Sequence, residues 1–375
     1  MRWFLLAAVA ALIWLLRAVP GPGWVDPSAS VLLALGMIMI GGELVGDLAQ
    51  RWRLPRVTGY LLLGMVLGPS VAGLVTRADL HGLVLFEELA LGLIALTAGG
   101  ELRVEALKNG WRSLVAITAG HAVGIFLASS ALFWLILGPL PFLGALGPAE
   151  RLAAVALLGT LTVAKSPATT IAIITETRSR GPLVDTVLGV TVVKDLLILL
   201  LFTWVSGMAA GWIGGGGVDL GVLGALGGEM VLSLVAGTLL GLALGVYLAH
   251  LGFHPEITVL AVVLVSMELA HTWRLEHLLM TMAAGFVARN VFPAAATGFL
   301  HALERSSPPI YVVFFALVGA GLDLGVFRTA WAGVAVLVVV RLALTWGLTA
   351  APAALAGAPV AVRRWAWMGF VAQAG

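Results

Sequence analysis

The chain has 375 residues, of which 61% are apolar and 11% are charged, and its formal net charge is +2. Soluble domains are about 45–50% apolar and about 25% charged, so this composition excludes a soluble enzyme, a nucleic-acid-binding protein and a disordered chain. The chain has no cysteine, which excludes disulfides, thiolate metal sites and cysteine nucleophiles. A mean hydropathy of +1.07 predicts a membrane protein.

Thirteen stretches are apolar and near the length of about 20 residues that a membrane-spanning helix needs. We therefore predict an all-α polytopic membrane protein of about 13 spans, the last of them incomplete. Residues 1–18 form an extra N-terminal helix or a signal peptide, and Arg17 before any cleavage point favours the helix. The stretches cover residues 3–18, 29–49, 57–76, 83–99, 112–138, 151–175, 184–206, 229–251, 256–272, 275–292, 309–326, 330–356 and 364–375.

The basic residues predict the orientation of the chain, because lysine and arginine accumulate in cytoplasmic connections. Of the 21 basic residues, 13 fall on the side of the N-terminus, five fall on the other side and three lie inside apolar stretches. We expect a multi-pass protein of the cell (inner) membrane with a cytoplasmic N-terminus.

Residues 207–228 are rich in glycine and lack lysine and arginine. A glycine-rich phosphate loop would need a preceding strand in a soluble fold, so we interpret this stretch as a linker. It would join a first half, residues 29–206, to a second half, residues 229–375.

The densest polar cluster in an apolar stretch is the segment AKSPATT, which contains Lys165, Ser166, Pro167, Thr169 and Thr170. Proline removes a backbone donor and clashes with the preceding turn. Serine and threonine can satisfy the freed backbone groups where protein or water surrounds them. The segment predicts a broken helix near residues 165–170 that lines a polar cavity, and a simple proline kink is the alternative.

Lys194 and Asp195 lie about ten residues from either end of the next apolar stretch, too deep to reach the membrane surface. Thr191 precedes Asp195 by four residues and shares its face of a helix. A purely structural Lys–Asp pair is the alternative to an ion site.

Arg341 is a third deep cation. Glu43, Glu268 and His121 lie at intermediate depth. Of these, Glu43 and Glu268 are candidate secondary sites.

Six segments together resemble the monovalent cation:proton antiporter superfamily, which includes bacterial sodium/proton antiporters and Kef-type potassium systems. The resemblance extends from about residue 29 to the end of the chain. The segments are GYLLLGMVLGPSV (59–71), ELALGLIALTAGGEL (88–102), AKSPATT (164–170), MTMAAGFVARN (280–290), PIYVVFFALVGAGLDL (309–324) and WMGFVAQAG (367–375).

The resemblance implies a sodium/proton-antiporter-like fold with inverted repeats, a scaffold or dimerisation domain, and a mobile core domain in which two broken helices cross. By motif position, Asp195 is the ion-binding aspartate, and Arg341 is the basic residue near the crossing. The second broken helix would begin around residues 369–375. A homodimer without a cofactor is expected.

Three features depart from the family pattern. Lys194 stands where many members have aspartate or asparagine, and Ser166 stands where many have an acidic residue. The sequence also ends inside the second broken helix, as expected of a truncated piece or of an incomplete transporter.

These observations favour a secondary transporter, not an enzyme, that exchanges Na⁺ or K⁺ for protons by alternating access. Asp195 would be the shared ion and proton carboxylate. A lysine-coupled or anion-carrying transporter and a non-transporting membrane sensor are the alternatives. The remaining site residues are Thr191, Ser166, Thr169 and Thr170 as oxygen ligands, and Lys194, Lys165 and Arg341 as compensating or competing charges.

Overall fold

The computed structural model describes Ala11 and residues 27–137, 146–214, 220–250 and 254–372. These residues form helices and their connections, with no strand among them, which confirms the all-α class. Seven helices in the described part are long and apolar enough to cross a membrane. The total of 13 spans stays a prediction, because most of residues 1–18 lie outside the described ranges.

Fifteen α-helices are labelled here in chain order within the described residues. A π-helical segment, Gly120–Ile125, joins α5 to α6, and a 3₁₀ segment, Ala366–Phe370, follows α15. The helices are α1 Pro27–Arg51, α2 Arg56–Leu67, α3 Arg77–Gly82, α4 Val84–Glu101, α5 Val104–Ala119, α6 Phe126–Leu137, α7 Pro148–Val163, α8 Pro167–Thr177, α9 Pro182–Gly214, α10 Leu220–His250, α11 Pro255–Trp273, α12 His277–Val291, α13 Pro293–Ala320, α14 Leu324–Leu355 and α15 Val360–Trp365.

The helices pack as two bundles. In the first, which we call the framework bundle, α4 packs on α12, α12 on α10, and α2 on α13 and α1, while α11 packs on α4 and α13. In the second, the break bundle, α9 packs on α7 and α5, and α14 packs on the π-helical segment and α15. Helix α8 belongs to the break bundle and also contacts α4. Each bundle therefore combines helices from both halves of the sequence.

Both predicted breaks lie in the break bundle. Helix α7 ends at Val163 and α8 begins at Pro167, so residues 164–166 are not helical. Proline is favoured at the first position of a helix, where its missing N–H would have no partner in any case. The part of the second predicted break that the structure describes is residues 371–372, which follow the 3₁₀ segment and are not helical.

Two connections differ from the sequence-based prediction. Helix α9 continues to Gly214 and α10 begins at Leu220, so helix occupies most of the predicted linker 207–228, whose centre lies outside the described residues. Helix α13 runs unbroken through Pro308 and Pro309, although the sequence predicts a connection before residue 309. Glycine and proline are tolerated in membrane helices, because neighbouring groups satisfy the backbone atoms that they leave without a partner.

Candidate functional site

The two chain breaks touch each other in the middle of the break bundle. The backbone N–H of Ser166 donates to the carbonyl oxygen of Ala372 over 3.2 Å. The hydroxyl of Thr170 lies 3.4 Å from the carbonyl oxygen of Gly369 and 3.2 Å from that of Ser166. The first break thus contacts the end of the 3₁₀ segment, where the second broken helix is predicted to begin, and the crossing of two broken helices stays a prediction.

Ser166 is the N-cap residue of α8. Its hydroxyl oxygen accepts hydrogen bonds from the backbone N–H of Thr169 at 3.2 Å and from the hydroxyl of Thr169 at 3.0 Å. Such a cap satisfies one of the N–H groups that the first turn of a helix leaves without a partner. Ser166 and Thr169 therefore place two hydroxyl oxygens at the positive end of α8.

Arg341 binds the backbone carbonyls at both breaks. From α14, its guanidinium donates to the carbonyl oxygens of Thr162 at 3.3 Å and Ala164 at 3.0 Å, where α7 ends. It also donates to the carbonyl oxygen of Val371 at 2.7 Å, beyond the 3₁₀ segment. Carbonyls at the end of a helix lack intrahelical donors and carry partial negative charge. The partial negative charges of these three carbonyl oxygens thus stabilise the positive charge of Arg341.

Lys165 lies in the first break and is 1% exposed. Its ammonium donates to the hydroxyl of Thr191 and lies 4.6 Å from the centre of the Phe370 ring. The Thr191 hydroxyl in turn donates to the carbonyl oxygen of Val187 over 2.6 Å. Thr191 is one helical turn before Asp195 on the same face of α9. Lys165 is therefore the buried cation on the face of α9 that carries Asp195.

Asp195 lies in the middle of α9 and is partly buried. Within the ranges that the structure describes, no salt bridge joins its carboxylate to a basic side chain. Lys194 instead points to a different side of α9, where its ammonium lies 3.2 Å from Nδ1 of His121. The adjacent Lys194 and Asp195 do not form the structural pair considered from the sequence.

His121 belongs to the site although the sequence placed it only at intermediate depth. It is fully buried in the π-helical segment, and its Nε2 lies 2.8 Å from the hydroxyl oxygen of Thr349 on α14. Its ring packs edge-on against Phe370, with 5.0 Å between the ring centres. A π-helical segment inside an α-helix often marks a functional site. The one feature of the sequence that could have indicated this role is a single histidine within an apolar stretch.

Two predicted secondary residues lie elsewhere. Glu43 is exposed on α1 and forms a salt bridge of 2.9 Å with Arg56 at the start of α2. Glu268 is exposed on α11, where it accepts a hydrogen bond of 3.4 Å from Thr272. The structure does not bring either carboxylate to the crossing.

A cavity of about 1000 Å³ opens between the two bundles. Its lining reaches Leu188 on α9, two helical turns before Asp195. It opens at an end of the molecule that we call the arginine-rich end. Six arginines line it there: Arg56, Arg103, Arg178, Arg180, Arg289 and Arg305. On α9 the lining of the cavity thus stops about two helical turns before Asp195, on the same face of the helix.

The sequence profile of the transmembrane sodium/hydrogen exchanger family matches residues 32–367 of the chain. The chain belongs to the sodium/hydrogen exchanger family. Members of this family are ion transporters and not enzymes. The superfamily expected from the motifs is thereby confirmed.

Curated relatives include two Bacillus cereus proteins, a probable Na⁺/H⁺ antiporter named GerT and a Na⁺/H⁺-K⁺ antiporter named GerN. The chain is 31% identical to GerT over 30% of each protein, and 30% identical to GerN over 24% of the chain and 22% of GerN. It is 24% identical to Na⁺/H⁺ antiporter 1 of Methanocaldococcus jannaschii over 46% of the chain and 39% of that relative. The matches thus cover less than half of each relative.

Among solved structures, the sodium proton antiporter MjNhaP1 from Methanocaldococcus jannaschii has a similar fold. The TM-score is 0.65 over 88% of this chain and 79% of that protein, at 17% sequence identity. This likeness confirms the antiporter-like fold.

Proposed function

We propose that the protein exchanges Na⁺ or K⁺ for protons across the membrane by alternating access, with Asp195 as the shared binding carboxylate. The observation that carries this proposal is the position of Asp195. It is a partly buried carboxylate in the middle of α9, without a salt bridge among the described residues, on the face of the helix that Lys165 approaches through Thr191. A carboxylate in this position can bind either a proton or a cation.

The charges around Asp195 explain why the two ligands exclude each other. At about 4 Å and an effective dielectric constant of about 20, two unit charges interact by about 4 kcal/mol. A proton on Asp195 removes its attraction for a cation, and a bound cation disfavours protonation. Lys165 lies on the same side and competes with the cation for the carboxylate. One carboxylate then carries about one cation in one direction and one proton in the other.

The ligands proposed around Asp195 are oxygens, which suit alkali cations. Ser166 and Thr169 offer hydroxyls at the N-terminus of α8, and Thr170 and Thr191 offer hydroxyls at the crossing. Arg341 is assigned a compensating charge, since its guanidinium is occupied by three carbonyl oxygens. Lys165 is assigned the competing charge.

We further propose that the arginine-rich end faces the cytoplasm of the cell, because positive residues are retained there. The cavity at that end would then admit ions from the cytoplasm, and the structure would correspond to an inward-facing state. The break bundle would move against the framework bundle during the cycle. We propose a homodimer formed through the framework bundle.

The test is proton flux in proteoliposomes that carry a pH-sensitive dye. An outward gradient of Na⁺, K⁺ or Li⁺ should acidify the lumen of vesicles that contain the wild-type protein, because a proton enters for each cation that leaves, and Asp195→Asn should abolish this flux. Glu105→Gln, which neutralises an exposed carboxylate at the start of α5, should transport like the wild type. Full flux in Asp195→Asn would contradict the assignment and favour coupling through Lys165.

A further inference from the structure

We propose that His121 is a positioning residue that holds the Lys194 ammonium away from Asp195, so that Lys165 is the main cation competing with the transported ion. This inference rests on the proposed function, because it concerns the affinity of the Asp195 site. Three buried side chains in the break bundle form a hydrogen-bonded chain. Lys194, His121 and Thr349 are 2%, 0% and 0% exposed, and they come from α9, the π-helical segment and α14.

The hydrogen bonds fix the direction of this chain. The Thr349 hydroxyl donates its one hydrogen to the carbonyl oxygen of Thr345 over 2.6 Å. Its oxygen must therefore accept from His121 Nε2, which places the imidazole proton on Nε2. Nδ1 is then an acceptor, and Lys194 at 3.2 Å is its donor. The threonine thus selects the tautomer that can hold the lysine.

The alternative position for Lys194 lies on the other side of its own helix. Asp195 is the next residue, and neighbouring side chains in a helix point about 100° apart. A lysine carries a flexible four-carbon stem, so an ammonium released by His121 can turn toward that carboxylate. Asp195 is the carboxylate that acts electrostatically on Lys194, and it attracts an ammonium.

Two features keep the histidine in place. The π-helical segment presents its ring toward α9, and Phe370 packs edge-on against that ring at 5.0 Å between centres. Phe370 also lies 4.6 Å from the Lys165 ammonium. Phe370, the last residue of the 3₁₀ segment, therefore contacts both Lys165 and the His121 ring that binds Lys194, while Lys165 binds Thr191 on the face of α9 that carries Asp195.

The experiment measures the apparent KM and the maximal rate for the transported cation in proteoliposomes that contain the full chain. In His121→Leu, the released Lys194 competes with the cation, so we expect the apparent KM to rise about tenfold with little change in maximal rate. His121→Gln should restore most of the affinity, because the amide oxygen accepts a hydrogen bond from Lys194.

The Lys194→Met background separates positioning from a merely structural role. In that background His121→Leu should leave the apparent KM unchanged, because no ammonium is left to release. The inference is overturned if His121→Leu leaves the KM of the otherwise wild-type protein unchanged, or if it raises the KM equally in the Lys194→Met background.

A second measurement tests the inference without the His121 variants and without a transport assay, so it can be made even if those variants do not fold or the protein does not transport. Nitrogen-15 NMR of histidine-labelled wild-type protein should show a buried imidazole protonated at Nε2 and not at Nδ1, and Lys194→Met should shift only the Nδ1 resonance of that ring. An Nδ1-protonated ring would overturn the inference. Absence of flux in the wild type with the expected NMR result would instead count against the proposed function.

Discussion

Three basic side chains are buried in the break bundle, and each has a different partner. Arg341 binds backbone carbonyls at the two breaks, Lys165 binds the Thr191 hydroxyl, and Lys194 binds the His121 ring. A buried charge without a partner is costly in a membrane protein. The sequence shows that buried cations outnumber buried carboxylates. In the structure, polar groups without formal charge bind these cations.

We predict that Arg341→Met destabilises the protein by about 2–5 kcal/mol, because it leaves the buried carbonyls of Thr162, Ala164 and Val371 without their donor. Arg341→Lys should recover only part of this loss, since one ammonium cannot reach three carbonyls in the geometry of a guanidinium fork. The midpoint of thermal unfolding in detergent measures the effect. Equal midpoints for Arg341→Met and the wild type would contradict the assigned role.

For individual residues, the sequence predicts which residue types belong to the candidate site better than it predicts which side chains contact one another. The sequence predicts Lys165, Arg341 and Thr191 as site residues because charge and hydroxyls are costly or rare at that depth, and the structure brings all three to the first break. The pairing of Lys194 with His121 was missed, because the two residues lie 73 positions apart and no periodicity connects them. Asp195 was singled out, and its function is still a proposal.

The helices of the framework bundle approach one another closely at glycines. A Cβ built on Gly64 of α2 would lie 1.9 Å from the carbonyl oxygen of Ala316 on α13, and one on Gly99 of α4 would lie 1.9 Å from that of Met282 on α12. Small residues allow such backbone contact, and van der Waals packing is a main source of association between membrane helices. The motifs that contain these glycines are thus packing elements of the framework.

We predict that Gly64→Ala destabilises the protein by about 1–3 kcal/mol, because the backbone of α13 must move to make room for the methyl group. Gly36→Ala is the matched control, since a Cβ at this helical position of α1 meets no atom within 4 Å. Thermal unfolding of the two variants in the same detergent is the measurement. A loss in Gly36→Ala as large as that in Gly64→Ala would show that close packing is not the cause.

Element boundaries were predicted well where proline or charge marks a helix end in the sequence and poorly where glycine or proline lies inside a helix. The break at residues 164–166 coincides with the predicted polar segment. The predicted linker 207–228 is mostly helical, and α13 continues through Pro308 and Pro309. Tertiary packing decides whether such residues interrupt a membrane helix, and one sequence does not reveal that packing.

At the scale of the whole molecule, the two bundles meet at the arginine-rich end beside the cavity. Glu176 at the end of α8 accepts two hydrogen bonds, at 3.0 and 3.2 Å, from the backbone N–H of Arg56 on α2. It accepts a third from the Gln50 side chain on α1 over 2.9 Å. Polar contacts of this kind can break and re-form at modest cost. Such contacts would suit a surface along which the break bundle moves against the framework bundle in the proposed transport cycle.

The central claim is that one carboxylate, Asp195, binds either a proton or the transported cation. Proton release on addition of Na⁺ or K⁺ to the purified protein in weakly buffered detergent solution tests it most directly. We predict that the wild-type protein releases about one proton for each cation bound, because the proton and the cation compete for the single carboxylate of Asp195. Asp195→Asn should release none. Undiminished proton release from Asp195→Asn, or cation binding by the wild type without proton release, would contradict the account.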